Sequence, residues 1–234
     1  MTQITEVAAQ ILSRAERRAE VAAQNITNAS TPGYRRRIGF EETLAAGAPA
    51  FAQPSNARDA MDFTAGQLTT TGNPSDFAIA GNGFFAVRGN DETLYSRQGQ
   101  FRRDETGRLV NADGLALQTL DGGDLIVGDG DFQVSADGVV TRGGEAIGRI
   151  ALFDFGDRSG LTMQRAGMFA AGAAEPIRVE QPGIRQGMLE GSNVNTGDEM
   201  VAMMEAVRRA ETGQRLVNTW DDLMGRALNL FGQQ

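Results

Sequence analysis

Ala22-Ala23-Gln24-Asn25-Ile26-Thr27-Asn28-Ala29-Ser30-Thr31-Pro32-Gly33-Tyr34 is the stretch where this chain changes character. Before it, Ile4, Val7/Ala8, Ile11, Ala15, Ala19, Ala22 and Ile26 recur at spacings of three and four, which predicts an α-helix over residues 1–28. The apolar stripe is narrow and rich in Ala, with charges on the other faces, so it reads as a coiled-coil seam. Pro32 cannot continue a helix, it drives Thr31 toward extended geometry, and Gly33 frees a turn. Asn25 and Asn28 bring side chains that can bond to backbone at a helix end.

The far end of the chain mirrors this. Thr196-Gly197-Asp198-Glu199 fits a capping box, and Asp198 and Glu199 suit the positive end of a helix dipole. A second helix is predicted over residues 196–231. Its stripe runs Met200, Met203/Met204, Val207, Ala210, then Val217, Trp220, Met224, Ala227 and Phe231. Gly213 and Gln214 interrupt it. A helical Gly costs about 1 kcal/mol relative to Ala, so a weak spot or bend is expected there.

Between the helices the pattern becomes β. Phe84-Phe85-Ala86-Val87-Arg88 and Leu94-Tyr95-Ser96-Arg97 read as paired strands around a turn at Gly89-Asn90-Asp91-Glu92. Asp104–Val110 and Ser135–Val140 look like repeated hairpins. The stretch from Ile147 to Phe155 reads as the longest strand, and residues 156–186 as irregular. Pro49 and Pro54, among small residues, suggest an extended linker. The expected fold class is α+β, a β-rich central domain flanked by long N- and C-terminal coiled-coil-forming helices. The expected division is 1–34 first helix, 35–65 linker, 66–190 β domain and 191–234 second helix.

Composition narrows the function. The 234 residues are 41% hydrophobic, enough for a real core, and include 30 Gly. There is no Cys and no His, which removes thiol nucleophiles, imidazole bases, thiolate metal sites and disulfides together. A formal charge of -8 argues against nucleic-acid binding, which needs clustered Lys and Arg. No apolar run is long enough for a transmembrane helix, and residues 1–30 carry no apolar signal-peptide core. No membrane insertion and no cleaved signal are expected. An enzyme reading would rest on Asp121, Asp124, Asp129 and Asp131, which occur in Asp-Gly turns without any nucleophile motif. The same carboxylates lack the spacing of a calcium loop. No catalytic residue, metal site or cofactor is assigned.

Three segments resemble the rod and hook family of the bacterial flagellum. The first is the Ala22–Tyr34 stretch, similar to the family's Asn-rich helix end followed by Thr-Pro-Gly-aromatic. The second is Gly66-Gln67-Leu68-Thr69-Thr70-Thr71-Gly72-Asn73-Pro74-Ser75-Asp76-Phe77-Ala78-Ile79-Ala80-Gly81-Asn82-Gly83-Phe84-Phe85, followed by Tyr95-Ser96-Arg97-Gln98-Gly99-Gln100-Phe101. The third is Gln186-Gly187-Met188-Leu189-Glu190-Gly191-Ser192-Asn193-Val194-Asn195, then Glu199-Met200-Val201. Ala210, in Arg209-Ala210-Glu211, stands where the family usually has an aromatic.

The resemblance implies a structural subunit of the basal-body rod, in which terminal helices form an inner tube that transmits torque from motor to hook. It implies assembly with its own copies and other rod and axial proteins. It also implies passage through the flagellar export apparatus and residence in the periplasm-spanning rod. The short span between Tyr34 and Gly66 resembles the proximal rod type more than the distal one. A surface-exposed binding or adhesion module is the alternative of a different class. The expected assembly interface comprises Ile4, Ile11, Ala15, Ala22, Asn25, Asn28, Thr31, Gly33, Tyr34, Asn193, Asn195, Met200, Val207, Val217, Trp220 and Met224.

Overall fold

Helix formation follows the seam spacing at both ends of the chain. The computed structural model describes residues 2–39, 60–89 and 92–231, of which 2–5 and 227–231 are described in backbone only. Helix α1 spans Thr2–Thr27 and helix α2 spans Thr196–Phe231, with a β-rich body between them in sequence, so the α+β class holds. Most of the expected linker, residues 40–59, lies outside the described residues, as do Asn90 and Asp91 of the expected turn.

The chain divides into two compact units. The first contains Met1–Ala29, Arg37–Met61 and Val194–Gln234; the second contains Ser30–Arg36 and Asp62–Asn193. In the first, α1 packs along α2. Gly213 lies against Ile11 and Leu12, and Arg18 reaches Glu205, so the two helices run antiparallel. Strands Arg37–Ile38 and Ala60–Met61 pair antiparallel in the same unit.

α2 starts one residue earlier in its capping than the sequence suggested. The Asn195 side-chain oxygen accepts the Gly197 N–H at 3.0 Å, and its carbonyl accepts the Glu199 N–H at 3.1 Å. Asn195 is therefore the N-cap, the role expected of Thr196. α2 is continuous through Gly213. Gly213 is buried in the helix pair, and a Cβ there would meet Leu12 Cγ at 3.2 Å and Ile11 Cγ2 at 3.3 Å. Close approach of the partner helix offsets the intrinsic helical cost of glycine.

The second unit is built of antiparallel strands. Its largest sheet has the order Thr162–Arg165, Met168–Ala170, Glu92–Ser96, Phe84–Gly89, Ala116–Leu117, Leu109–Val110, Arg102–Arg103, with Leu152–Phe155 joining Phe84–Gly89 to Pro176–Arg178. A three-stranded sheet holds Phe132–Val134, Val139–Arg142 and Glu145–Arg149. Ile184–Gln186 pairs with Phe77–Ile79, and Met188–Glu190 with Leu68–Thr70. Phe77, Phe85, Leu109, Leu117, Leu125 and Leu152 centre the core, all fully buried. Phe84 stacks edge-on or tilted against Phe63, Phe155 and Phe169, in the offset geometries that aromatic quadrupoles prefer.

Two strand expectations are corrected. The stretch Ile147–Phe155 is split between Glu145–Arg149 and Leu152–Phe155, because the chain passes there from the three-stranded sheet to the large one. Residues 156–186 are not irregular. They hold strands Thr162–Arg165, Met168–Ala170, Pro176–Arg178 and Ile184–Gln186. Each is too short to show a two-residue alternation in sequence.

Candidate functional site

The helix pair is assembled from small residues. On α1, Ala8, Ala15 and Ala22 are buried one heptad apart, with Ile11 half-buried between them. On α2, Ala206 and Gly213 are buried one heptad apart, flanked by half-buried Ala202, Val217, Trp220 and Met224. Small side chains at these positions let the two backbones approach closely. The Arg18–Glu205 ion pair at 3.2 Å crosses the rim, but it is exposed and worth at most about 1 kcal/mol.

The two halves of the apolar stripe expected on α2 fall on different faces. Val217, Trp220 and Met224 are half-buried. Met200, Met203, Met204 and Val207 are exposed, at 52%, 39%, 55% and 46%. Ala202 and Ala206 occupy the seam at that level instead. Counting large apolar residues favours Met over Ala and so selects a face other than the one that packs on α1. A better signal lay in the heptad spacing of Ala8, Ala15 and Ala22, which calls for small partners on the facing helix.

The Asn residues of the site fix backbone. Asn25 is completely buried; its amide donates to the Arg37 carbonyl and its oxygen accepts the Arg37 N–H, both at 2.9 Å. This double bond mimics a strand pair and ties the end of α1 to strand Arg37–Ile38. Asn28 donates back to the Gln24 carbonyl at 2.8 Å. Within the β unit, the Asn193 oxygen accepts the Arg36 N–H at 2.7 Å, and its amide donates to the carbonyls of Asp62 and Thr64. Gly33 and Tyr34 are buried in that unit, and Thr31 is half-buried. Ile4 lies in α1, where its side chain is outside the described ones.

Sequence reasoning missed a buried ion cluster that joins all three diagnostic segments within the β unit. Glu190 accepts from Arg35 Nη2 at 2.6 Å and from the Gly66 N–H at 2.8 Å through one oxygen, and from Arg97 Nη1 at 3.1 Å through the other. Arg35 and Glu190 side chains are 1% exposed, and that of Arg97 5%. Arg97 also donates to the Gly81 carbonyl at 2.6 Å. Burial pushes the Arg97 guanidinium below its usual range; Glu190 opposes that shift and Arg35 adds to it.

The same place demands glycine. Gly33 has φ +69°, and a Cβ there would sit 2.4 Å from the Arg97 carbonyl carbon, while its N–H donates to the Glu190 carbonyl at 2.7 Å. A Cβ on Gly66 would lie 2.0 Å from the Gly191 carbonyl oxygen. Arg97 and Glu190 lie inside the second and third segments, and Arg35 directly follows Tyr34 at the end of the first. Unlike charges recurring within or directly beside the distinctive motifs were the available signal.

The acidic residues considered for chemistry do other things. Asp124 is held by Gln118 at 2.7 Å and Arg108 at 3.2 Å, with Arg88 at 3.6 Å. The Gln118 amide, then Arg108, keep its carboxyl below the usual carboxylate range against the upward push of burial. Asp121, Asp129 and Asp131 are exposed. Among the described residues no group of three or more His, Cys, Asp or Glu could hold a metal ion.

Comparisons with known proteins match this arrangement. A family model described as the flagellar hook protein FlgE/F/G D1 domain matches residues 78–142, within the β unit. A second, described as flagellar basal body rod FlgEFG protein C-terminal, matches residues 185–230, from strand Ile184–Gln186 through most of α2. The flagellar basal-body rod protein FlgF of Caulobacter vibrioides is 30% identical over 231 residues, covering 93% of this chain and 93% of the relative. FlgF of Mesorhizobium japonicum is 28% identical over 225 residues, covering 94% and 93%. FlgG of Bacillus subtilis is 28% identical over 243 residues, covering 90% and 92%. With matched segments at both ends of the β body and relatives aligned over nearly their whole length, the chain belongs to the flagellar basal-body rod protein family.

Proposed function

We propose that this chain is a structural subunit of the bacterial flagellar basal-body rod, polymerising through its two terminal helices to transmit torque from motor to hook. The observation that carries the reading is the antiparallel helix pair, closed by an Ala/Gly seam, with Met200, Met203, Met204 and Val207 left exposed on its outer face. An apolar patch on an otherwise charged helix marks a surface meant for another protein. Burying each half-exposed Met or Val there would contribute about 1 kcal/mol. In this reading the partners are copies of the chain and other rod and axial proteins, and the pair behaves as a coiled coil in the assembled rod.

The other interface residues act at two levels. Met200 and Val207 supply apolar surface, and Ile4 remains an interface position read from the sequence. Ile11, Ala15, Ala22, Val217, Trp220 and Met224 shape the pair. Asn25, Asn28, Thr31, Gly33, Tyr34, Asn193 and Asn195 fix the backbone at the two helix boundaries. No step in this function calls for a catalytic residue. The proximal position is supported by the short span from Tyr34 to Gly66, and export through the flagellar apparatus by family membership. Among the described residues no helix is long and apolar enough to cross a membrane.

The test is Val207→Asp in the living cell. The variant should fold, because Val207 is exposed, yet fail to enter isolated basal bodies, because a carboxylate in a closed interface must be desolvated or neutralised. Normal incorporation and motility of that variant would refute the helix-mediated assembly. A labelled wild-type protein absent from isolated basal bodies would refute the rod assignment itself.

A further inference from the structure

Met200, Met203 and Met204 stand out in chemistry as well as in place. They sit at i, i+3 and i+4 on one face of α2, and all three are well exposed, whereas Met168 is 2% exposed in the core of the β unit. Met61, Met163, Met188 and Met224 are only half-buried. The chain has no cysteine, so no thiol of its own competes for an oxidant.

We infer that Met200, Met203 and Met204 form an oxidation-sensitive site whose substrate is a peroxide, and that converting their thioethers to sulfoxides weakens the association of the helix pair with other copies of this chain. This rests on the assembly reading above. In each event the sulfur lone pair attacks one peroxide oxygen, an S–O bond forms and the O–O bond breaks. The sulfur is oxidised by two electrons, and hydrogen peroxide is reduced to water. A flexible apolar side chain becomes a polar, chiral one, and methionine sulfoxide reductases reverse the change.

The geometry makes the effect specific. The three side chains are directed away from the seam, where Ala202, Ala206 and Gly213 face α1, so sulfoxidation leaves the helix pair intact. What changes is the outer face, where three adjacent apolar groups become strong hydrogen-bond acceptors. A partner surface matched to thioethers would then have to desolvate three sulfoxides.

The experiment treats the full-length protein with hydrogen peroxide for graded times and maps sulfoxides by peptide mass spectrometry. Self-association is measured by sedimentation velocity over a concentration series. Sulfoxide should accumulate at Met200, Met203 and Met204 at least tenfold faster than at Met168. Helix content by circular dichroism should not change, and the concentration needed for association should rise at least tenfold. Sulfoxide reductases A and B together should restore the original value. A variant carrying M200L, M203L and M204L should associate like the untreated protein and be indifferent to peroxide. Equal oxidation of Met168, or association that peroxide leaves unchanged, would overturn this inference alone. An untreated chain that stays monomeric at every concentration would overturn the assembly reading, and this one with it.

Discussion

Glu190→Gln is the perturbation that most directly probes how the three diagnostic segments are held. The carboxylate answers three donors, Arg35 Nη2 at 2.6 Å, the Gly66 N–H at 2.8 Å and Arg97 Nη1 at 3.1 Å, in a place with almost no solvent. Glutamine keeps the size but supplies one acceptor oxygen in place of two. Its NH₂ must then point at a guanidinium, and two buried cations lose their counter-charge. Removing one partner of a buried ion pair costs about 3–5 kcal/mol, chiefly because the remaining charge is left uncompensated. For a chain of this size each kcal/mol moves Tm by roughly 2–4 °C, so a fall of roughly 6–20 °C is expected.

The measurement is thermal and urea unfolding of the full chain at neutral pH, with the loss in the transition of the β unit. A triple variant, Arg35→Met, Arg97→Met and Glu190→Leu, should recover part of the loss, because it removes the charges together. A single variant less than about 1 kcal/mol below wild type would refute the reasoning. So would a triple variant less stable than the single one.

Other predictions follow from the same contacts. Gly33→Ala should destabilise the β unit by more than about 2 kcal/mol, from the left-handed backbone and the clash with the Arg97 main chain, read as a drop in urea midpoint. Ala15→Leu should force the helix pair apart at a position that is 3% exposed, costing about 1–3 kcal/mol and speeding proteolysis of both helices while leaving the β unit resistant. Asp124 has a folded pKa below its ordinary value, so its contribution is present above about pH 4 and is lost as pH falls through the folded value. Asp124→Asn should therefore lower stability at pH 7 and flatten its dependence on pH below about 4, measured as urea midpoint against pH.

The sequence by itself determined the two helices, the first stopping before Pro32-Gly33 and the second starting at Thr196, the β character of the middle and the family. These are local matters: periodicity, backbone-breaking residues and motifs are readable one segment at a time. Tertiary structure alone decided which face of α2 meets α1. Met200 and Val207 score as core and lie in solvent, while Ala202, Ala206 and Gly213 make the seam. Helix periodicity names a stripe but does not say whether large or small side chains set the distance to a partner. Tertiary structure also decided the purpose of Arg35, Arg97 and Glu190. No short-range rule joins residues so far apart in sequence, and charged side chains are assigned to the surface until a specific counter-ion is shown beside them in the core.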